Sequence, residues 1–531
     1  MSFNVQVTAL FNDKTPGACG TIPRWGRVPI RALARVVNGY PFDATKFNKV
    51  SGLPLIRIRD ILDSSTDCLY DGDVPDGFWV DHQDLLIGMD GDFNCSLWAG
   101  GRGLLNQRVC KVIPDETAFS KRLLFYLLPA YLQTVNDHTS SVTVKHLSSR
   151  TIQDLPVPAI PRAEQDRIVA ALDERLSELD ASVASLERAE RNLVRYRAAV
   201  LAAACSGKLV PTEADLARRA GRSYEPAGQL LARILAERRK ANTKAKYEEP
   251  AQPDTSKLPK LPEGWVWATL PMLGELNRGK SKHRPRDDKQ LYGGKHPFIQ
   301  TGDVRHSRGS ITTWTQTYSD FGLAQSRLWP IGTLCITIAA NIADTGIMRM
   351  AACFPDSVVG FLPVAGINTD YIQYFIMTAK ERIERYAPAT AQKNINLDIL
   401  EKVAVPLPPA AEQERIVAEV DRHLSRADAL AASIVQSKRR TQRLRRSILA
   451  AAFQGRLVPQ DPNDEPASVL LDRIRAQAAT AEAATASAPR RGCPPAQPAA
   501  PAASASTPAS TPAMTPKRRG RPPGSKNKAK P

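Results

Sequence analysis

The sequence predicts an α/β (α+β) fold in two copies: two globular blocks of one kind, separated by two long antiparallel coiled-coil helices, with a disordered C-terminal tail. Three observations predict it. First, the segment Val157-Pro-Ala-Ile-Pro-Arg-Ala-Glu164-Gln165 recurs as Val405-Pro-Leu-Pro-Pro-Ala-Ala-Glu412-Gln413, and the match runs without a gap to Gly207 and Gly455. Roughly half of the paired positions are identical, more than a helical composition bias produces. Second, apolar residues inside that repeat return every seven positions. Third, what precedes each copy mixes short apolar runs with Gly-rich turns and brief helices such as Tyr371–Ile383, the pattern of mixed helix and sheet domains.

Each element has its own reason. Residues 1–20 form an N-terminal segment. The first block spans 21–161 and the second 262–408. Ile22-Pro-Arg-Trp25 pairs loosely with Leu261-Pro-Glu-Gly-Trp265, and Pro54 to Asp60 with Pro297 to Asp303. Short buried strands are expected at Leu85–Asp90 and Leu334–Ala339. The long helices span 162–208 and 409–457. Pro161 and Pro409 close an extended entry, Glu and Gln open the first turn, and Gly207 and Gly455 stand where a glycine cap ends a helix. Leu172, Leu179, Leu186, Leu193 and Val200 form one seam, with Leu176 and Val183 beside it. Val420, Ala427, Ile434 and Ile448 form the other, with Leu424 and Ala431 beside it. Glu190 and Thr441 interrupt the two seams. At 1.5 Å per residue each helix is about 60 Å long, and antiparallel packing places the two blocks at opposite ends of a rod. Residues 209–261 are read as a linker with a short helix, basic around Arg238-Arg239-Lys240 and then Pro-rich. Residues 458–477 are read as a short helix. The tail, 478–531, is Ala, Pro, Ser and Thr, too poor in large apolar groups to fold.

Composition narrows the function. Lys plus Arg number 72 against 54 Asp plus Glu, a formal charge of +18, which argues for a polyanionic partner. The longest apolar run, Leu334 to Ala340, falls well short of the ~20 residues of a membrane span. The start shows no basic and apolar leader, so no signal peptide is read. Eight cysteines include no C-x-x-C pair, which argues against a zinc ribbon or a secreted disulfide scaffold. The expectation is a soluble, reduced, cytoplasmic protein with no metal site.

One motif suggests nucleotide binding. Gly274-Glu-Leu-Asn-Arg-Gly279-Lys280-Ser281 fits G-x-x-x-x-G-K-[ST], but a P-loop must open a helix. Here Lys282-His-Arg-Pro285 follows, with no apolar helical face, and the first block has Ala34 and Tyr40 where the second has Gly274 and Lys280. The better reading is a basic loop of Arg278, Lys280, Lys282, His283, Arg284 and Arg286 laid along DNA phosphates or into a groove, or else a solvated loop. No glycine-rich cofactor turn and no N-P-P-Y or D-P-P-Y motif is present, which argues against methyl transfer by this chain.

Together Ile299-Gln300-Thr301-Gly-Asp303, Phe321 to Leu328, Ile336 to Asn341, Gly88 to Phe93, Leu105 to Cys110 and the paired Glu-Gln-x-Arg-Ile-Val helices resemble the specificity subunits of type I restriction–modification systems, over nearly all of 20–475. The resemblance implies two target-recognition domains, each reading half of a bipartite DNA sequence. It implies a helical spacer that docks two modification subunits, which use S-adenosylmethionine to methylate adenine, and two restriction subunits that use ATP and Mg. It implies a bacterial cytoplasmic location, no catalytic residue and no cofactor on this chain. The rival readings are a coiled-coil adaptor whose blocks bind protein, a P-loop ATPase, and an S-like fragment of a fused methyltransferase or restriction enzyme.

The candidate DNA contacts follow. In the first block Tyr40 and Phe42 stand behind a glycine, to stack on sugar or base edges or to anchor their loop to its own core. Arg57 and Arg59 are read on a strand whose Ile56 and Ile58 face inward, with their guanidinium groups free for guanine or phosphate. Arg102 joins them. Gln300 and Thr301 are the counterparts in the second block, and Asn341 follows a buried strand, to meet adenine or cap a turn. Lys145 and Lys393 match through the repeat and are read as backbone contacts or surface lysines. In the tail, Arg519-Gly520-Arg521-Pro522 resembles an AT-hook, a narrow strand for the A·T minor groove.

Overall fold

Proline decides where each long helix begins. In the computed structural model, which describes residues 7–11, 17–139, 144–241, 248–339, 341–384 and 395–476, Pro161 (φ −58°, ψ 145°) and Pro409 (φ −52°, ψ 147°) sit just outside helices Arg162–Cys205 and Ala410–Phe453. Their missing N–H groups are among those a helix start leaves unpaired anyway. Each helix ends before a glycine in the left-handed region, Gly207 (φ 68°) and Gly455 (φ 61°). The chain divides into two compact units, 1–471 and 472–531, and of the second only 472–476 are described.

The two long helices pair side by side and run antiparallel. Asp180 pairs with Arg445, Glu190 with Lys438 (2.6 Å) and Arg197 with Asp428 (2.6 Å), so one chain descends as the other climbs. Repeat-equivalent residues are 248 apart, as Glu190 and Lys438 are. The Asp180–Arg445 pair is therefore the copy of Asp428–Arg197, and Glu190–Lys438 is its own copy. A pseudo-two-fold axis crosses the rod there. The seam follows the 3.5 spacing, with graded burial. Leu172, Val200, Val420, Ala427 and Ile434 are buried, whereas Leu179, Leu186 and Leu193 in the middle of the first helix are only half-buried. Two helices alone cannot close both flanks of a seam. Thr441 keeps its hydroxyl by donating to Ser437 O within its own helix.

Each block is a set of mainly antiparallel sheets with one principal helix. In the first, Arg27–Pro29 pairs with Pro156–Pro158 and ties the block's two ends together. A four-stranded sheet orders Ala34–Asn38, Val109–Pro114, Leu85–Gly88 and Cys95–Leu97. A five-stranded sheet orders Phe47–Asn48, Leu69–Tyr70, Leu53–Ile56, Gly103–Leu105 and Trp79–Val80. Helix Lys121–His138, capped by the Ser120 hydroxyl, packs against Cys95–Leu97 of the four-stranded sheet. The second block repeats the plan: Val266–Thr269 pairs with Ala404–Leu407, five strands run in the order Gly274–Arg278, Val358–Pro363, Leu334–Thr337, Thr345–Met348 and Gly309–Ile311, and helix Thr369–Glu384 packs behind. One parallel pair occurs in each five-stranded sheet. The predominance of antiparallel pairing makes this α+β rather than a parallel α/β sheet.

Two expectations change here. The strand carrying Arg57 and Arg59 stops at Ile56. Arg57 N donates to the Asp60 carboxylate (2.9 Å), which turns the chain into a short 3-10 helix at Ile58–Asp60. Gln300 N and Asp303 repeat the device at 2.9 Å, so Thr301 starts the helix Thr301–His306. The stretch read as a linker carries two helices, Glu213–Ala220 and Ala227–Ala241. The second buries Ala227, Leu230, Leu231 and Ile234 in one core with Trp265, Leu270 and Tyr371. Among the described residues no helix is long and apolar enough to cross a membrane.

Candidate nucleic-acid interface

The blocks are held to the rod by polar sockets that occur twice. At one end the fully buried Glu164 accepts from Trp25 Nε1 (3.0 Å), Arg24 (2.8 Å) and Gln460 Nε2 (2.6 Å). At the other, Glu412 accepts from Trp265 Nε1 (3.0 Å) and the backbone N–H of Glu213 (2.8 Å). Gln165 accepts from Ser120 N and donates to Ala118 O and Ile160 O. Gln413 makes the same three bonds to Asn368 N, Gly366 O and Pro408 O. Tyr126 donates to Asp173 as Tyr374 does to Asp421. The segment after each helix also clasps the start of the other, through Arg167–Asp464 and Arg415–Glu213. From the sequence these Glu and Gln residues read only as helix openers. Their recurrence in both copies was the signal for more, because a capping residue is replaceable and a socket is not.

The socket of the second block carries a pH signature. Burial pushes the Glu412 carboxyl above its ordinary 4.5, against the hydrogen bonds from Glu213 N and Trp265 that pull it down. A carboxyl held above its unfolded value stabilises fully below about pH 4.5, and that contribution fades as pH rises through the folded value. Subtracting the stability of Glu412→Gln, which cannot titrate, from that of the wild type should therefore give a difference that falls as pH rises above about 4.5. A difference that is flat or rises in denaturant titrations across that range would contradict it.

The basic loop starts on a strand end. Gly274–Arg278 is a strand, Gly279 N donates to Val358 O (2.9 Å), and no helix follows Ser281. The P-loop geometry is therefore missing from this segment. Ser281 is buried with its hydroxyl 3.3 Å from that of Tyr318. Arg278, Lys280, Lys282, Arg284 and Arg286 are exposed and His283 is half-buried. Some of this charge is engaged: Arg286 pairs with Asp356 (2.9 Å), His283 meets Asp288 (2.7 Å), and Arg284 donates to Ser281 O and His283 O. Arg278 and Arg286 share a shallow cleft with Asn396 and Asp356. Gln300 donates to Gln316, and Asn341 accepts from Arg305 (2.5 Å) in the turn after Leu334–Thr337.

In the first block, Tyr40 lies on the surface and Phe42 does not. Phe42 is 5% exposed, in a core with Leu55, Tyr70 and Leu104, and Tyr40 leans on it at 5.1 Å. Of the two readings left open for this pair, Phe42 takes the core anchor. Arg57 is drawn into its own domain by Asp60 and Asp67 (2.7 Å), whereas Arg59 is exposed. The Lys49 ammonium and then Arg57 hold the Asp67 carboxyl down at about 2. Arg102 is exposed, stacks over Trp79 at 4.4 Å and lies 3.4 Å from Asp81. Lys145 turns inward and donates to Asn136 O (2.5 Å) and Oδ1 (2.9 Å) at the end of helix Lys121–His138. Lys393 and the AT-hook-like Arg519, Gly520, Arg521 and Pro522 lie outside the described residues.

The matching glycines Gly39 and Gly279 end the matching strands Ala34–Asn38 and Gly274–Arg278. A Cβ on Gly39 would sit 2.0 Å from Asn106 O, and one on Gly279 2.1 Å from Phe354 O. Both obstacles are backbone, so neither can yield cheaply. Gly39→Ala and Gly279→Ala should each cost about 1–3 kcal/mol by overpacking and displace the loop that follows. Urea unfolding within 0.5 kcal/mol of wild type for both would refute the close approach.

The family model described as the type I restriction modification DNA specificity domain matches residues 24–192 and 262–436. Each match takes in one block and the greater part of its helix. The EcoBI specificity subunit of Escherichia coli is 30% identical over 509 residues, covering 92% of this chain and 99% of that protein. The EcoKI specificity subunit of Escherichia coli K12 is 21% identical over 514 residues, covering 88% and 99%. A chain solved in work on assembly and conformational transition of the type I system superposes with a TM-score of 0.55 at 18% identity, over 82% of this chain and 99% of its own length. With two copies of the domain, the sockets that mount them and near full-length agreement with a relative, this chain belongs to the family of type I restriction–modification specificity subunits, as the one with two recognition domains joined by long helices.

Proposed function

We propose that the chain reads an asymmetric bipartite DNA sequence, one half with each block, while the rod sets the length of the unread spacer. The observation that carries this is the contact between the repeat-equivalent Glu190 and Lys438. It relates two readers of one fold by a two-fold axis, and their loops differ in sequence. Two-fold proteins meet half-sites at a fixed spacing, and here unlike loops make the half-sites unlike. In the first block Tyr40, Arg59 and Arg102 are offered as contacts, and in the second Arg278, Lys280, Lys282, Arg284, Gln300 and Asn341. Arg57, Phe42 and Lys145 are better explained by their internal partners. The rod docks two modification subunits, which bring S-adenosylmethionine, and two restriction subunits join with ATP and Mg, while this chain supplies the address and no catalytic group. Single-molecule methylome sequencing of the host with and without the gene tests the reading. The expected result is adenine methylation at one non-palindromic, two-part motif with a constant gap. A contiguous motif, or no change on deletion, would overturn it. Removing 514–531 should weaken affinity and its salt dependence and leave that motif unaltered; a changed motif would assign the tail a reading role.

A further inference from the structure

We infer that the middle of the rod grips the sugar–phosphate strand of the unread spacer, through a row of arginines on the second long helix and Arg308 of the second block. The inference rests on the bipartite reading above and adds a contact to it. An open groove of about 970 Å³ lies between Arg308 and that helix, where Ala431, Val435, Arg439, Arg440 and Arg443 line it. Arg439, Arg443 and Arg446 recur at i, i+4 and i+7, so they share one helix face. Asp428 at the edge of the groove is already paired with Arg197 (2.6 Å). By contrast, Arg308, Arg439, Arg440 and Arg443 are all exposed and have no ion-pair or hydrogen-bond partner among the described residues. Several other arginines of the rod are engaged, as Arg167, Arg197, Arg415, Arg422 and Arg445 are, so the unpaired row at the groove is a cluster beside paired neighbours.

A second, independent observation is backbone strain. Arg308 adopts φ 52° and Gly309 φ 96°, and a left-handed arginine persists only where its surroundings enforce it. Gln373, 4% exposed, holds the turn by donating to Gly309 O (2.8 Å). The turn places the one cation of the second block that lines this groove across from the helical row.

Position identifies the ligand. Arg439, Arg440 and Arg443 lie within a turn and a half of Lys438, where the pseudo-two-fold axis crosses. A duplex held by a reader at each end passes its unread middle there. Like charges at i, i+4 cost helix stability, and a polyanion that releases its counterions repays that cost irrespective of sequence. A protein-docking face would instead deplete charge at its centre. The first helix has Arg191 and Arg195 at the matching positions, but Asn192 where the second has Arg440. The grip is therefore stronger toward the second half-site.

The test uses the full chain assembled with its modification subunits, on duplexes carrying the motif that methylome sequencing returns. The triple variant Arg439→Gln/Arg440→Gln/Arg443→Gln should bind about tenfold or more weakly at low salt, with a salt slope reduced by about 2–3 and an unchanged methylation motif. Arg308→Gln, which leaves the rod untouched, should shift both in the same direction by less. Neutral methylphosphonates in the spacer should weaken the wild type much more than the triple variant, which keeps only Arg308 of the grip. A wild type indifferent to those substitutions, or a triple variant of unaltered slope, overturns the inference while the bipartite motif stands. So does a triple variant that loses its modification subunits, which would make the row a protein-docking face.

Discussion

Replacing Glu412 with alanine is expected to destabilise the second block by about 4 kcal/mol. The side chain is fully buried and accepts from Trp265 Nε1 and Glu213 N, neither of which has water to turn to. Each stranded buried donor costs about 1–3 kcal/mol. Arg415, which also pairs with Glu213, loses part of its electrostatic setting. In a Trp265→Phe background, where one donor is already gone, the same substitution should cost less, and the difference measures their coupling. Glu164→Ala should behave alike at the other end, because it strands Trp25 Nε1 and leaves Gln460 Nε2 only its longer bond to Gly455 O (3.3 Å). Hydrogen exchange of the second-block amides reads the effect locally. Exchange at wild-type rates in Glu412→Ala would remove the socket from the account.

The second large effect is expected at the centre of the rod. Ile434 is 8% exposed and one helical turn from Lys438. Ile434→Glu places a carboxylate in the seam at i, i+4 from that lysine and so competes with Glu190 for it. The charge must be desolvated or the helices must part, at a cost of about 3 kcal/mol, whereas Ile434→Val should cost about 0.5–1.5. Leu179→Glu should cost less than Ile434→Glu, because Leu179 is half-buried and its replacement reaches water. The functional readout is the spacer. Methylation should fall, or the gap between half-motifs should lose its constancy, while the half-motifs persist. Full methylation with a constant gap in Ile434→Glu would separate spacer length from the rod.

Much of this architecture is legible in the chain because it rests on local periodicity. A seven-residue recurrence of apolar side chains, prolines at both starts and glycines at both ends mark two helices with little reference to anything distant. The repeat adds that whatever one helix does, the other copies. The candidate contacts are less legible for a physical reason. Arg57 and Arg59 alternate with isoleucines as a strand would, yet a carboxylate three residues on captures the Arg57 N–H and ends the strand at Ile56. Phe42 and Lys145 are chemically suited to DNA, but the first fills a core and the second holds a helix end. An arginine's freedom depends on acids that are remote in sequence.

By itself the sequence determined the duplication, the seams, the presence of two long helices and the family, since these depend on residue type at fixed spacing. Only the tertiary structure decided which charges are spent internally and which face outward. It also decided that Glu164 and Glu412 are sockets rather than caps, and that the supposed linker is part of a core. Those outcomes depend on which distant donors, acceptors and apolar faces the fold brings within a few ångströms of one another.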